Sequence, residues 1–259
     1  VNAGRLTCNS LWIGDRLGPV ERACLRSIVA QGHPMVLWCY RRPAGLPEGV
    51  MLRDAAEILP EETVIRHRRG SVALFANRFR YELQRRGIGL WVDTDVYLLK
   101  PLDDLPEQVF GWGFAGEIYT GVLRLHSDSP VIPPLLDLFN EDRVPPWLPW
   151  RARLAAHWRL RKTGRSGLSH MPWGSAGPMA FTALARRHGL EDLALPSEIF
   201  YPTHWRDAAW ILDPRIALAD VVQPTSLALH LWNELIRGFK ERPAPTGSFL
   251  ARLHEEGAD

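Results

Sequence analysis

The sequence predicts an α/β fold built on a parallel sheet, and three observations carry that expectation. A strand, a helix and a second strand follow one another within the first forty residues, the order that βαβ units show. A second helix, over 71–87, leads directly into an apolar strand over 88–99. The chain has 259 residues, 46% of them hydrophobic and 23% charged, which suits one globular unit with a sizeable buried core.

Taken in order, SLWIG at 10–14 reads as a short buried strand ending at Gly14. The segment 18–33 carries Pro19 near its start and Gly32 past its end, where helices favour these residues. Val20, Cys24, Ile28 and Val29 recur within it at helical spacing. PMVLWCY at 34–40 is a second strand, and 41–60, rich in Pro, Gly and Arg, reads as a loop with a short helix. The helix over 71–87 gathers Leu74, Phe75, Phe79 and Leu83 on one side. IGLWVDTDVYLL then forms a strand, VFGWGFAG and YTGVLRL two more, and PVIPPLLDLFN a helix. Nothing repeats and no linker interrupts the chain, so 1–240 are expected to form a single domain, with 241–259 a polar tail or short helix.

The formal net charge of +2 favours no particular partner, nucleic acid included. Lysine occurs only at 100, 162 and 240, leaving 28 of the 31 basic residues as arginine. Arginine suits bidentate binding of phosphate, which is compatible with a phosphorylated ligand. Cys8, Cys24 and Cys39 form no CxxC pair and cannot all be bridged, which points to a reducing compartment. No apolar run approaches the roughly 20 residues of a membrane span, and the start of the chain lacks the layout of a secretory leader. A cytoplasmic location is the expectation.

LWVDTDVYLLKPL, 90–102, places Asp93 and Asp95 inside an apolar run. On a strand the two would point the same way with Thr94 opposed, their Cα atoms roughly 7 Å apart. Unpaired carboxylates on a buried face are costly, and their repulsion would drive one to keep its proton. A divalent cation relieves both effects, because Mg²⁺ and Mn²⁺ take carboxylate, phosphate and water oxygens. Ligands of open α/β sheets sit beyond the carboxyl ends of strands. The pattern therefore suggests a cation bridging a diphosphate. The alternative is a turn-capping aspartate beside one paired with arginine.

The flanks extend this pattern. FANRFRYELQRRGIGLWVDTDVYLLKPLD resembles the core of the DXD-containing sugar transferases of glycosyltransferase family 32, whose relatives by fold include yeast α-mannosyltransferases and clostridial glucosylating toxin domains. Arg80 and Tyr81 match its R-Y pair, Gly87 and Gly89 its glycines, Asp93 and Asp95 its DxD, and Lys100, Pro101 and Leu102 its K-P-L. LWIG, TGVLRL, PWGSAGP and ALHLWNE continue the match more thinly, in family order. Asn77 stands where the family has an aspartate that contacts donor hydroxyls, Trp91 where it has another aromatic, and Thr120 where relatives often have Asn.

The resemblance implies a GT-A-like, Rossmann-type fold with a mixed sheet flanked by helices. It also implies a metal-dependent, retaining glycosyltransferase with a nucleotide-sugar donor, UDP-sugar in preference to GDP-mannose. Asp93, Asp95 and His230 would hold Mn²⁺ or Mg²⁺, and Arg80 would meet the donor sugar or diphosphate. Trp12 and Ile13 would face the nucleobase, and Asn77, Tyr81, Trp91, Thr94 and Gly177 the rest of the donor. Trp232 and Asn233 would line its phosphates. Each has a plainer alternative: a salt bridge for Arg80, core packing for Trp12, a structural role for His230, and an ordinary helix start at Gly177–Pro178. The acceptor, whether glycan, lipid-linked or small molecule, is open, and a part in polysaccharide assembly is a family-level expectation. Two rivals stand beside this reading: a haloacid-dehalogenase-like phosphatase using the DTD, and a non-catalytic nucleotide-sugar binder, which Asn77 makes reasonable.

The stretch 147–165 sets Trp147, Trp150, Leu154 and Trp158 at helical spacing among six Arg and Lys residues. The first expectation is a helix burying its aromatic stripe in the core. The second is a peripheral contact with the inner face of a membrane, beside the acceptor site.

Overall fold

The computed structural model of the protein describes residues 5–258. Its centre is a six-stranded mixed sheet flanked by helices. Strands β1 (Cys8–Leu11), β2 (Met35–Cys39) and β3 (Val50–Asp54) are parallel, with helix α1 (Pro19–Ala30) crossing between the first two. After helix α2 (Ala73–Arg85) the chain enters β4 (Leu90–Val92), which pairs parallel to β1 on its other side. A short strand, β5 (Val96–Leu98), precedes β6 (Val109–Trp112) and β7 (Ile118–Arg124). β7 is antiparallel to both β4 and β6. The strand order is β3-β2-β1-β4-β7-β6. It reverses direction between β1 and β4, and that switch point opens the crevice where sheets of this class bind ligands.

Alternation along the strands divides the core into two faces. Leu11, Val36, Trp38 and Trp91 pack with Phe75 and Phe79 of α2. Cys8, Met35, Leu37, Leu90 and Val92 pack with Leu25 and Ile28 of α1. Helices α3 (Ile132–Asp137), α4 (Trp150–Thr163) and α5 (Pro178–Arg187) lie in the segment that follows β7. The chain closes with α6 (Leu218–Val221), β8 (Ala228–His230), α7 (Asn233–Ile236) and α8 (Phe249–Glu256). β8 pairs with β5 in a separate two-stranded sheet, and α8 packs along α1 with Leu250 and Leu253 fully buried.

Two local devices hold β4 against β1. Asn9 is buried and donates to the Ile88 and Leu90 carbonyls while accepting from Trp38 Nε1 at 3.0 Å. Gly89 has φ of +55°, and a Cβ there would lie 2.5 Å from the Thr7 carbonyl. Only glycine adopts that conformation with the backbones so close.

Three expectations are corrected. The strand expected over 88–99 is two strands, because Asp93, Thr94 and Asp95 turn the chain between β4 and β5. The loop expected over 41–60 contains β3, with a 3₁₀ turn at Ala55–Glu57. β3 is a half-exposed edge strand, with Met51 50% exposed, so it lacks the continuous apolar run that marks buried parallel strands. The stripe of 147–165 is not in the core: α4 forms, but Trp150, Leu154 and Trp158 face solvent, and Ala156 is its one buried residue. Cys8, Cys24 and Cys39 are buried free thiols. Among the described residues no helix is long and apolar enough to cross a membrane.

Leu253→Ala tests whether α8 belongs to the core. Cavity formation at a fully buried leucine should lower unfolding free energy by about 2–5 kcal/mol in urea melts. A loss below ~1 kcal/mol would mean that α8 is loosely docked.

Candidate functional site

At the carboxyl end of β4 the chain turns through Asp93-Thr94-Asp95, and two neighbours close around the turn. Val92 pairs with Val122 of β7, and the Asp93 amide donates to the Gly121 carbonyl at 2.7 Å. On the other flank Val96 pairs with His230 of β8, and the Leu231 amide donates to the Asp95 carbonyl at 2.9 Å. Ligand atoms of Asp93, Asp95 and His230 thereby come within 4.8 Å of one another. His230 Nε2 lies 3.7 Å from Asp93 Oδ2 and 3.6 Å from Asp95 Oδ1. The two carboxylates converge because a turn and an antiparallel partner bring them together, and not through strand alternation.

Each carboxylate is oriented through its other oxygen. Asp93 Oδ1 accepts from Arg80 Nη2 at 2.8 Å and from Trp91 Nε1 at 2.7 Å. Arg80 is buried beneath them on α2, its Nη1 donating to Thr120 Oγ1 at 2.8 Å and its guanidinium 4.9 Å from the Trp91 ring centroid. Burial opposes the charge on Asp93, but Arg80, His230 and the Trp91 N–H outweigh it and hold its pKa below the ordinary carboxylate value. Asp95 Oδ2 accepts the Asn233 amide at 2.7 Å. That amide is aimed by Trp232, which sits in the left-handed region at φ +60° and ψ +55°, a conformation worth roughly 1–3 kcal/mol of strain in a non-glycine residue. The Asn233 side chain is held in turn by Lys240 at 2.6 Å, and Lys240 pairs with buried Glu21 of α1.

A divalent cation fits this arrangement on two grounds. Two carboxylate oxygens and an imidazole nitrogen are a suitable donor set for Mn²⁺, and the carboxylates suit Mg²⁺. The carboxylate oxygens lie 3.6 and 3.7 Å from the imidazole nitrogen and the donor atoms within 4.8 Å of one another, wider than the roughly 3–3.5 Å kept around an ion with bonds near 2.1 Å, so a cation would draw them together. Gly121 also leaves a hollow at the centre, since a Cβ there would lie 3.0 Å from His230 Cδ2 and 3.2 Å from Asp93 Oδ2. His230 needs a rearrangement to ligate. Its Nδ1 accepts from the Trp232 amide at 3.2 Å, so the neutral ring carries its proton on Nε2, the atom facing the carboxylates. Burial lowers the His230 pKa, but Asp95 and Asp93 more than offset it, and the net direction is upward. A cation at Nε2 must displace that proton.

Across the switch point, the chain after β1 lines a cavity of about 250 Å³ with Trp12, Ile13, Gly14 and Asp15, together with Tyr40, Arg41, Glu61 and Arg66. Trp12 Nε1 is buried there without a hydrogen-bond partner. The remaining residues singled out in the sequence fall as follows. Tyr81 is fully buried and donates to the Ala176 carbonyl at 2.9 Å, fixing the turn before Gly177. Gly177 abuts the Asn77 amide, where a Cβ would lie 3.1 Å from Nδ2. Thr94 is half-buried at the turn, and the Trp232 ring lies 4.4 Å from His230. Arg80, Tyr81 and Trp91 thus touch protein partners, whereas Trp12 and Ile13 line a cavity and Asn77 and Thr94 are half-buried. Gly121, Lys240 and Glu21 were not singled out; the glycine of TGV was the one visible signal.

No protein-family model matches the chain, and no curated protein matches it in sequence. Among solved structures, the chain is similar to one titled PaToxG Glycosyltransferase, with 14% identity and a TM-score of 0.47 over 73% of this chain and 72% of that one.

Two outcomes test the centre. Gly121→Ala should weaken Mn²⁺ binding about tenfold or more by calorimetry; unchanged affinity would remove the ion from this hollow. Mn²⁺ affinity should also rise with pH until the elevated His230 pKa is passed, by up to about tenfold per unit below it. His230→Gln should flatten that profile.

Proposed function

We propose that this chain is a metal-dependent glycosyltransferase that moves a sugar from a nucleotide sugar to a hydroxyl acceptor. The observation that carries the reading is the Asp93–Asp95–His230 cluster at the end of β4, across the sheet's switch point from a cleft lined by Trp12 and Ile13. The thirty-residue resemblance around the DTD to the sugar transferases of family 32 supports the same reading.

In this account the Trp12 ring faces the nucleobase. Asp93, Asp95 and His230 hold Mn²⁺ or Mg²⁺. The cation, when bound, supplies Lewis-acid neutralisation of the diphosphate leaving group. Arg80 and Trp91 keep Asp93 ionised and aimed, which makes Arg80 a positioning residue. The Asn233 amide does the same for Asp95, and Lys240 fixes Asn233. Trp232 and Asn233 flank the phosphates, while Asn77, Thr94 and Gly177 lie on the sugar side. In transfer, the bond from the anomeric carbon to the diphosphate oxygen breaks. The acceptor oxygen bonds to that carbon, and its proton leaves with the diphosphate. Reaction on one face of the sugar gives retention and needs no protein nucleophile.

Asn77 can donate and accept hydrogen bonds but carries no charge. A donor hydroxyl that an aspartate would grip is held less strongly there. Tight donor binding without turnover is the outcome that would favour a non-catalytic binder.

Thermal shift with UDP- and GDP-sugars, each with and without Mn²⁺, tests the proposal, since a ligand of the native state raises stability by mass action. One nucleotide sugar should shift the melt only with the cation, and Asp95→Ala should abolish both the shift and at least ~99% of transfer. A shift independent of the cation, or full transfer by Asp95→Ala, would refute it.

A further inference from the structure

Helix α4 is built in a way that the proposed chemistry does not use. Its inner side consists of Ala152, Ala156 and Leu160, and Ala156 is fully buried in the main core. At 100° per residue those positions lie on one side of the helix, and Trp150, Leu154 and Trp158, spaced by four, lie on the other. The three are 62%, 61% and 59% exposed. Soluble domains turn the apolar face of a helix inward; here the small residues turn inward and the large aromatic ones outward.

The charges around this stripe are of one sign. Arg151, Arg153, Arg159, Arg161 and Lys162 lie on α4, which has no acidic residue. Among the described residues none of the five has a carboxylate within 4 Å. Two of them lie over the exposed rings: Arg151 is 5.0 Å from the Trp150 centroid and Lys162 is 4.3 Å from that of Trp158. Arg151, Arg161 and Lys162 share the outward side with the indole rings, while Arg153 and Arg159 turn away from it, and the helix is anchored by its other side.

We propose that the outward face of α4 docks on an anionic bilayer surface. Tryptophan partitions to the boundary between headgroups and acyl chains. Leu154 between two such rings would enter the same layer, roughly 5–10 Å deep. The arginine and lysine stems follow along the apolar surface with their charges at phosphate level, where an anionic leaflet attracts each of them. Charge complementarity selects this occupant. A second copy would bring the same outward cations, Arg151, Arg161 and Lys162, against their own kind. An acidic protein surface would satisfy the cations but not three protruding apolar side chains. Docking also has a consequence for the site. Trp147, just ahead of α4, donates to the Ser175 carbonyl at 2.9 Å, and the Ser175–Gly177 turn adjoins Asn77 and Tyr81 of α2. The membrane-facing helix is thus tied to the sugar side of the proposed site. The docking itself does not rest on the transferase reading.

The test is flotation of the intact chain with two vesicles, pure phosphatidylcholine and the same lipid with roughly 30 mol % phosphatidylglycerol. The chain should float with the anionic vesicles, and partitioning should fall at least ~10-fold in Trp150→Ser/Trp158→Ser. It should also fall as salt is raised, and in Arg161→Gln/Lys162→Gln. All four positions are exposed, so both variants should melt with the parent, which a circular dichroism scan verifies. Three results would overturn the proposal: no flotation, equal binding to both vesicles, or unchanged binding by the tryptophan variant. A parent that is dimeric by light scattering, and monomeric in that variant, would assign the stripe to a second copy instead.

Discussion

The ion pair between Arg80 and Asp93 is the constraint around which the rest of the site is arranged. A half-buried carboxylate is most stable when its charge is matched and its oxygens are bonded. Arg80 supplies the charge from beneath, Trp91 a neutral N–H from the same strand, and the free oxygen is left facing His230. Arg80 can do this because α2 lies across β4 and β7, and because Thr120 holds its second nitrogen. Loss of the pair would leave the buried Arg80 cation without its partner, so this contact adds an electrostatic tie to the strand pairing and core packing that position α2, β4 and β7.

An irregularity in β7 makes this possible. Pairing of β6 with β7 slips between Val109 and Gly111, so Val109 faces Arg124 while Gly111 faces Tyr119. Tyr119 and Val122 consequently pack on the same face of the sheet, where regular alternation would separate them. The extra residues aim Thr120 at Arg80 and lay bare Gly121 beneath the carboxylates. Bulges next to functional sites commonly re-aim side chains in this way. The left-handed backbone of Trp232 is the counterpart on the other flank, turning the Asn233 amide onto Asp95.

Polar contacts tie the site to distant elements. Lys240 links Asn233 to Glu21 of α1, and α1 is backed by α8. Tyr81 links α2 to the turn before Gly177, to which Trp147 also bonds. Trp12 and Ile13, which line a cavity, and the half-buried Asn77 and Thr94 sit on or beside elements that these contacts hold in place.

The sequence by itself determined the alternation of helix and strand, the two faces of the central strands and the prominence of the DTD. These are periodic or local properties, written in side-chain order. It could not place β3, whose edge position leaves it half-exposed and without a buried strand's pattern. Nor could it show that the DTD is a turn, because apolar residues on both sides of it read as one strand. Trp147, Trp150, Leu154 and Trp158 have the spacing of a buried stripe, yet burial depends on which face the rest of the chain covers, and α4 turns its alanines inward. His230 stands 135 positions from Asp95 in the chain, and nothing local to either announces the pairing of β5 with β8. The tertiary structure alone decided which carboxylate oxygens face the imidazole and which are held from behind. That outcome is set by long-range strand pairing and by the requirement that buried charges find partners.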